Sequence, residues 1–284
     1  MPHSLPSHND PAALLAWYVA MGVSEAHGDE PVNRFAEPDR ALSAPISDTN
    51  TDTESESVQV TSNSVQSAPK PVSAQPATSA DFSQTLQQAE SIAAQCKTLA
   101  ELKEALTNFE GCILKRTATH TVFSAGIESA PLMVISAAPG ADEDRTGLAF
   151  QGGSGQLLDK MMAAIGHSRD TNSYLAHIVP WRPLGNRNPD AQSLDLCRPF
   201  MMKHIELAKP KAILLLGNAT ARSISASDEV IARMRGKWQT LSIDGHDVAA
   251  MPTYHPEYLL KHPRYKRDSW QDLLALNETL KADL

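Results

Sequence analysis

Between residues 132 and 281 the chain alternates two kinds of apolar pattern, and this alternation limits the folds open to it more than any other feature. Runs at 132–137, 174–179, 211–216 and 247–251 have the length and apolar content of buried strands. The stretches 155–165, 191–208, 218–224 and 266–281 carry helical periodicity. Strands separated by helices build a sheet covered on both faces, because each element must bury its apolar side against another layer. The expected architecture is therefore a three-layer α/β/α fold with a central, mainly parallel sheet. Two further helices are expected upstream. One covers 82–95; the other opens at Thr98-Leu-Ala-Glu101, a capping box, and runs to about residue 108. No internal repeat is present.

The N-terminal third differs in kind. Residues 42–80 are dominated by Ser, Thr, Pro, Gln, Asp and Ala, too few apolar groups to offset chain entropy, so a disordered linker is expected. The net charge of −8 belongs entirely to residues 1–85, which hold 11 acidic and 3 basic residues; the remainder carries 22 of each. An overall acidic charge thus excludes nothing about the folded part. Asp10-Pro11 reads as a helix start and Gly22 as its stop. Leu14, Leu15, Tyr18 and Val19 share one face of that helix, which either docks on its own domain or binds a protein partner. The expected organisation is an acidic segment at 1–41, a linker at 42–80 and one domain at 81–284. Three cysteines (Cys96, Cys112, Cys197) make no disulfide framework. No run approaches the roughly 18 apolar residues of a membrane span, and no secretory leader is legible, so a cytoplasmic monomer is expected.

Four segments follow strand ends, where open α/β sheets bind ligands. They are Ala138-Pro-Gly-Ala-Asp-Glu-Asp-Arg-Thr-Gly147 with Phe150-Gln-Gly-Gly-Ser-Gly155, then Trp181-Arg-Pro-Leu-Gly-Asn-Arg-Asn-Pro189, then Leu216-Gly-Asn218, then Met251-Pro-Thr-Tyr-His-Pro256. Singly, a Gly-rich turn before a helix serves either backbone geometry or anion binding. None is a Walker A loop, since no Gly-Lys-Ser/Thr follows.

Taken together and in this order, the segments resemble the family 4 uracil-DNA glycosylases, the bacterial and archaeal iron–sulfur type, over about residues 109–280. The resemblance implies hydrolysis of the bond between uracil and deoxyribose in DNA, the first step of base-excision repair, in the bacterial nucleoid. A base must leave the stack for such chemistry. Phe150 stands at the family's stacking position, with Ala138 beside the base. His255 matches the motif histidine that steadies the negative charge of the departing base, and a neutral imidazole with one N–H suits that task. DNA contacts are expected from Arg182, Asn186 and Arg187, and from Lys261, Arg264, Arg235 and Lys237 in two basic clusters. For the cluster at 264–267 a solvated helix start is the competing reading.

Three departures stand against these matches. The family motif Gly-Glu-Ala-Pro-Gly reads Ser136-Ala-Ala-Pro-Gly140, so Ala137 replaces a carboxylate. The family's Thr-Asn reads Ala176-His177, and His177 is expected either to bond uracil, to fill the pocket or to transfer a proton. Of four cluster cysteines only Cys112 and Cys197 remain; Phe109 and Trp181 stand at the other two positions. Four thiolates hold a [4Fe–4S] cluster, so no stable cluster is expected and the two aromatic residues are expected to plug the space. Among Asp142, Glu143 and Asp144, Asp142 is the first candidate to position water; a solvated loop is the alternative. Two functions stay open: a glycosylase for uracil or a related deaminated base, or an impaired relative that binds DNA or a repair partner.

Overall fold

The computed structural model describes residues 79–282. The acidic segment, the helix expected at 12–21 and nearly all of the 42–80 linker lie outside the described residues. Helices α1 (Ser79–Gln95) and α2 (Leu99–Asn108) come first, and Thr98 caps α2 by accepting from the Glu101 N–H at 3.1 Å, as the capping box predicts. Then follow β1 (Ser124–Gly126), β2 (Leu132–Ser136), α3 (Ala141–Thr146), α4 (Gly152–Ala163), β3 (Ser173–His177), α5 (Ala191–Ala208), β4 (Ala212–Leu216), α6 (Asn218–Ser225), α7 (Ile231–Met234), β5 (Gln239–Ile243), β6 (His246–Thr253), α8 (Pro256–Lys261) and α9 (Lys266–Ala282).

The sheet order is β1-β3-β2-β4-β6-β5. The four inner strands run parallel, and β1 and β5 close the edges antiparallel. The expected three-layer architecture is what forms. Alternation along β2 distributes its side chains: Leu132 and Val134 enter the core shared with Leu157, Leu158, Met161 and Met162 of α4 and Leu273 of α9. Met133 and Ile135 enter the core shared with Leu102 of α2 and Phe200 of α5. Both faces of the inner strands are apolar because both are covered.

The two edge strands are absent from the sequence expectation. β1 has only three residues, Ser-Ala-Gly, with no apolar run to mark it. β5 is half exposed and joins β6 through Asp244-Gly245, both at positive φ (47° and 77°). Among the described residues no helix is long and apolar enough to cross a membrane.

Phe109, Cys112, Trp181 and Cys197 are all buried in the core under α1, α2 and α5. The Phe109 ring lies 5.2 Å from that of Phe200, and the Trp181 indole donates to Thr121 Oγ1 at 3.1 Å. Both aromatic side chains are buried there.

Candidate active site

A cleft of about 880 Å³ opens at the carboxyl ends of the parallel strands. All four sequence segments reach it, and Phe150, His177 and His255 stand on its wall together. This is where the strand order directs a ligand: β2 sends its chain to one neighbour and then the other, leaving a crevice above the sheet.

The wall is organised by a carboxylate. Helix α3 starts after Gly140, and Glu143 sits three residues on, where its side chain reaches back to accept the Gly140 N–H. Glycine has no side chain to answer, so only the glutamate half of a capping box exists. Glu143 Oε1 also accepts the Phe150 N–H at 2.6 Å and the His177 Nε2–H at 3.1 Å. Burial raises the Glu143 pKa, but the hydrogen bond from His177 and the two backbone donors outweigh it, and the carboxyl is held below its usual range. Glu143 is therefore an ionised acceptor inside the fold.

Phe150 is strained into place. Its φ is 55°, a left-handed conformation that costs a bulky residue on the order of 1–3 kcal/mol. Glu143 holds its N–H, and Arg169 holds the carbonyls of Ala149 and Phe150 at 3.1 and 3.0 Å while its Nε bonds Asp159 at 2.9 Å. Gly155 completes the clamp: a Cβ there would run into the Phe150 carbonyl oxygen. The Phe150 ring lies nearly parallel to that of His177, with centroids 4.8 Å apart and planes 24° apart.

His255 ends β6's loop and caps α8. Its Nδ1 accepts the Glu257 N–H at 3.2 Å, so the ring proton sits on Nε2, which meets Ser136 Oγ at 3.2 Å. Burial pushes its pKa down to about 4. The ring is a neutral N–H donor at neutral pH. Gly217, at φ 85°, backs it closely; a Cβ there would lie 3.2 Å from that of His255.

The remaining expected residues sort by position. Ala137 and Ala138 line the cleft with methyl groups. Asn186, Arg187 and Lys261 line its mouth, and Arg182 Nε donates to Asn186 Oδ1 at 2.7 Å. Lys261 pairs with Glu257 at 2.6 Å, both exposed. Arg264 lies over the Tyr265 ring at 4.7 Å, and Lys237 is exposed away from the cleft wall. Arg235 corrects the expectation of a DNA contact. Its guanidinium forks onto buried Asp272 (3.1 and 2.6 Å) and bonds the Asp268 carbonyl at 2.6 Å, so its charge is used inside the fold. The acidic trio also sorts differently from the expected order. Asp142 stands exposed on the rim, 3.5 Å from Arg145. Asp144 anchors the backbone of Thr119 and His120 at 2.7 and 3.1 Å. The group built into the wall is Glu143.

Sequence reasoning missed Ser136 as a partner of His255. It also missed a ladder of aromatic rings on the same side of the mouth: Tyr258 lies 5.4 Å from both Tyr254 and Tyr265. The spacing 254, 258, 265 across a short helix was the available signal.

The four family cluster positions hold two thiols and two apolar rings. Among the described residues no group of three or more His, Cys, Asp or Glu side chains is arranged to hold a metal. The residues present do not fit a four-thiolate cluster.

The sequence profile of the uracil DNA glycosylase superfamily matches residues 123–274, a span that holds Ser136, Glu143, Phe150, His177 and His255. The type-4 uracil-DNA glycosylase of Saccharolobus solfataricus is 31% identical over 176 residues, covering 60% of this chain and 81% of that protein. That of Pyrobaculum aerophilum is 30% identical over 179 residues, 62% of this chain and 91% of the relative. That of Archaeoglobus fulgidus is 28% identical over 186 residues, 64% and 93%. A strained phenylalanine and a neutral histidine facing one cleft thus lie inside a stretch shared almost end to end with these proteins, and the chain belongs to the type-4 family of the uracil-DNA glycosylase superfamily.

Proposed function

We propose that the protein hydrolyses the N-glycosidic bond of uracil in DNA. The observation that carries this reading is the shared cleft of Phe150, at the family's stacking position, and His255, with a neutral N–H at its edge. In the reaction the C1′–N1 bond breaks and its electron pair leaves with the base. A water oxygen bonds to C1′ and gives up a proton, and the released uracil anion gains one. A ring face for the base is worth roughly 1–3 kcal/mol of stacking. A neutral donor costs no reorganisation as charge develops on the base.

The strand is held at the mouth in this reading. Arg187, Lys261 and Arg182 offer phosphate contacts, and Asn186 fixes the Arg182 fork. Tyr258 and Tyr265 add ring faces for neighbouring bases. The apolar set Leu14, Leu15, Tyr18 and Val19, outside the described residues, is a candidate contact for a protein partner.

Ala137 favours a second reading. A methyl group on the cleft wall cannot orient water, so in this reading the fold serves recognition of the damaged base with little turnover. One assay separates the two. The purified protein is incubated with a uracil-containing single-stranded oligonucleotide, and abasic sites are then cleaved with alkali. Strand scission above an enzyme-free control is expected; none with excess protein overturns the hydrolase in favour of the binding protein.

The proposed enzyme works without an iron–sulfur cluster, because Phe109 and Trp181 occupy the core where two ligands would stand. Iron analysis of protein purified without oxygen is expected to give background levels and no visible charge-transfer absorption. Stoichiometric iron overturns this.

A further inference from the structure

The departures at positions 136 and 177 belong to one device. Ser136 and His177 are paired residues at the ends of β2 and β3, so their side chains leave the sheet on the same face. Both are nearly inaccessible (2% and 3% exposed), and both line the cleft. Each is held from behind. Ser136 Oγ accepts from His255 Nε2, and its own proton has no acceptor among the described residues. His177 Nε2–H is committed to Glu143, and its Nδ1 is buried with no hydrogen-bond partner. A buried polar atom without a partner is costly unless a ligand supplies one. The wall therefore presents one unused hydroxyl proton and one ring nitrogen without a partner, which is an acceptor when the ring carries its single proton on Nε2.

We infer that Ser136 and His177 together read the O=C–N–H edge of an extruded deaminated base, the Ser136 hydroxyl donating to the carbonyl beside the breaking bond and His177 Nδ1 accepting the ring N–H. This rests on the glycosylase reading and names how that site selects its base. A side-chain amide offers a donor and an acceptor side by side; here the same pair is divided between two strands. The stack geometry agrees. The Phe150 and His177 rings stack with centroids 4.8 Å apart, so His177 covers part of the Phe150 face and, in the proposed pose, borders a base laid on the remainder. His255 then acts partly through Ser136, whose hydroxyl is polarised by the His255 N–H.

Specificity follows from the lone pair. Uracil has a proton on N3 next to the carbonyl at C2. Cytosine in the same pose has a lone pair on N3, facing the lone pair of Nδ1, and is repelled. The device accepts bases that carry the lactam edge and rejects those that have kept the amine.

Two measurements test this with the intact protein. In ligand-observed NMR, 1-methyluracil, which keeps the edge and mimics the glycosidic substituent, is expected to bind; 1,3-dimethyluracil, lacking the N–H, is expected to bind at least about tenfold more weakly. Equal binding of the two, or no binding of 1-methyluracil, overturns the inference. In the oligonucleotide assay, Ser136→Ala is expected to lower kcat/KM about tenfold in the native background, and much less when His177→Asn has restored an amide. A Ser136→Ala effect that is absent, or unchanged in the His177→Asn background, also overturns it. Failure of the native protein to release uracil while 1-methyluracil still binds selectively defeats the hydrolase reading and leaves the base-reading pair standing.

Discussion

Replacement of Glu143 by alanine is expected to destabilise the domain by about 3–5 kcal/mol, because several buried donors lose their shared acceptor at once. Glu143 accepts from Gly140 N–H, Phe150 N–H and His177 Nε2–H, and it is buried. Its removal strands all three donors, and each orphaned buried donor costs on the order of 1–3 kcal/mol unless water enters. The left-handed backbone of Phe150 loses its amide restraint as well, so the stacking ring is freed and activity falls with stability. Glu143→Gln keeps an acceptor oxygen for the backbone but turns an amide NH2 toward one of its former donors, so an intermediate loss is expected. Urea denaturation of the three proteins measures this; a Glu143→Ala midpoint within about 1 kcal/mol of native shows that the hub carries no such weight. The pH dependence has a definite sign. The native-state pKa is lowered below the unfolded value, so this stabilisation is complete above the unfolded pKa of about 4.3 and is lost as pH falls through the native one.

The central layer was legible because its signal is local. Strands β2, β3 and β4 are short runs buried along their whole length and bounded by turn residues, and burial on both faces leaves little room for another assignment. The edge strands were not, because an edge has one partner and one open side and its residues need not be apolar. Yet Ile243-Asp-Gly-His246 carries the hairpin signature that produces β5 and β6. The site divides in the same way. Phe150 and His255 were found through motifs. Arg235 was misassigned because a cation in a basic run looks solvent-facing until Asp272, thirty-seven residues on, takes up its charge. Ser136 was overlooked because a serine at a strand end has no chemistry until a histidine from β6's loop arrives against it. Glu143 lay between two other acids with nothing in the chain to say which would face inward. Helix phase decides it: α3 begins at Ala141, and only its third residue points back at both Gly140 and Phe150.

His255→Ala is expected to lower kcat on uracil-containing DNA by about 10²–10³-fold, the range for loss of one donor aimed at developing charge. The more searching measurement is the pH profile. A histidine at its ordinary pKa of about 6.5 would become an imidazolium on the acid side of neutrality. Burial holds His255 near 4, with the Glu257 N–H on Nδ1 and Ser136 on Nε2. The free enzyme therefore keeps a neutral donor well below pH 6, and the acid limb of kcat/KM is expected to have no inflection at 6.5 arising from this residue. For stability the sign is the same as for the carboxylate. The native pKa lies below the unfolded one, so the unfolded chain takes up protons first, and the contribution of the neutral ring, complete above about pH 6.5, is lost as pH falls toward 4. His255→Asn, which retains an N–H donor but has no proton to take up in this range, is expected to flatten that part of the stability curve. A native acid limb at 6.5 that disappears in His255→Asn would mean that the ring takes up its proton at the ordinary pKa and is inactive as a cation, so that burial does not keep the donor neutral in the free enzyme.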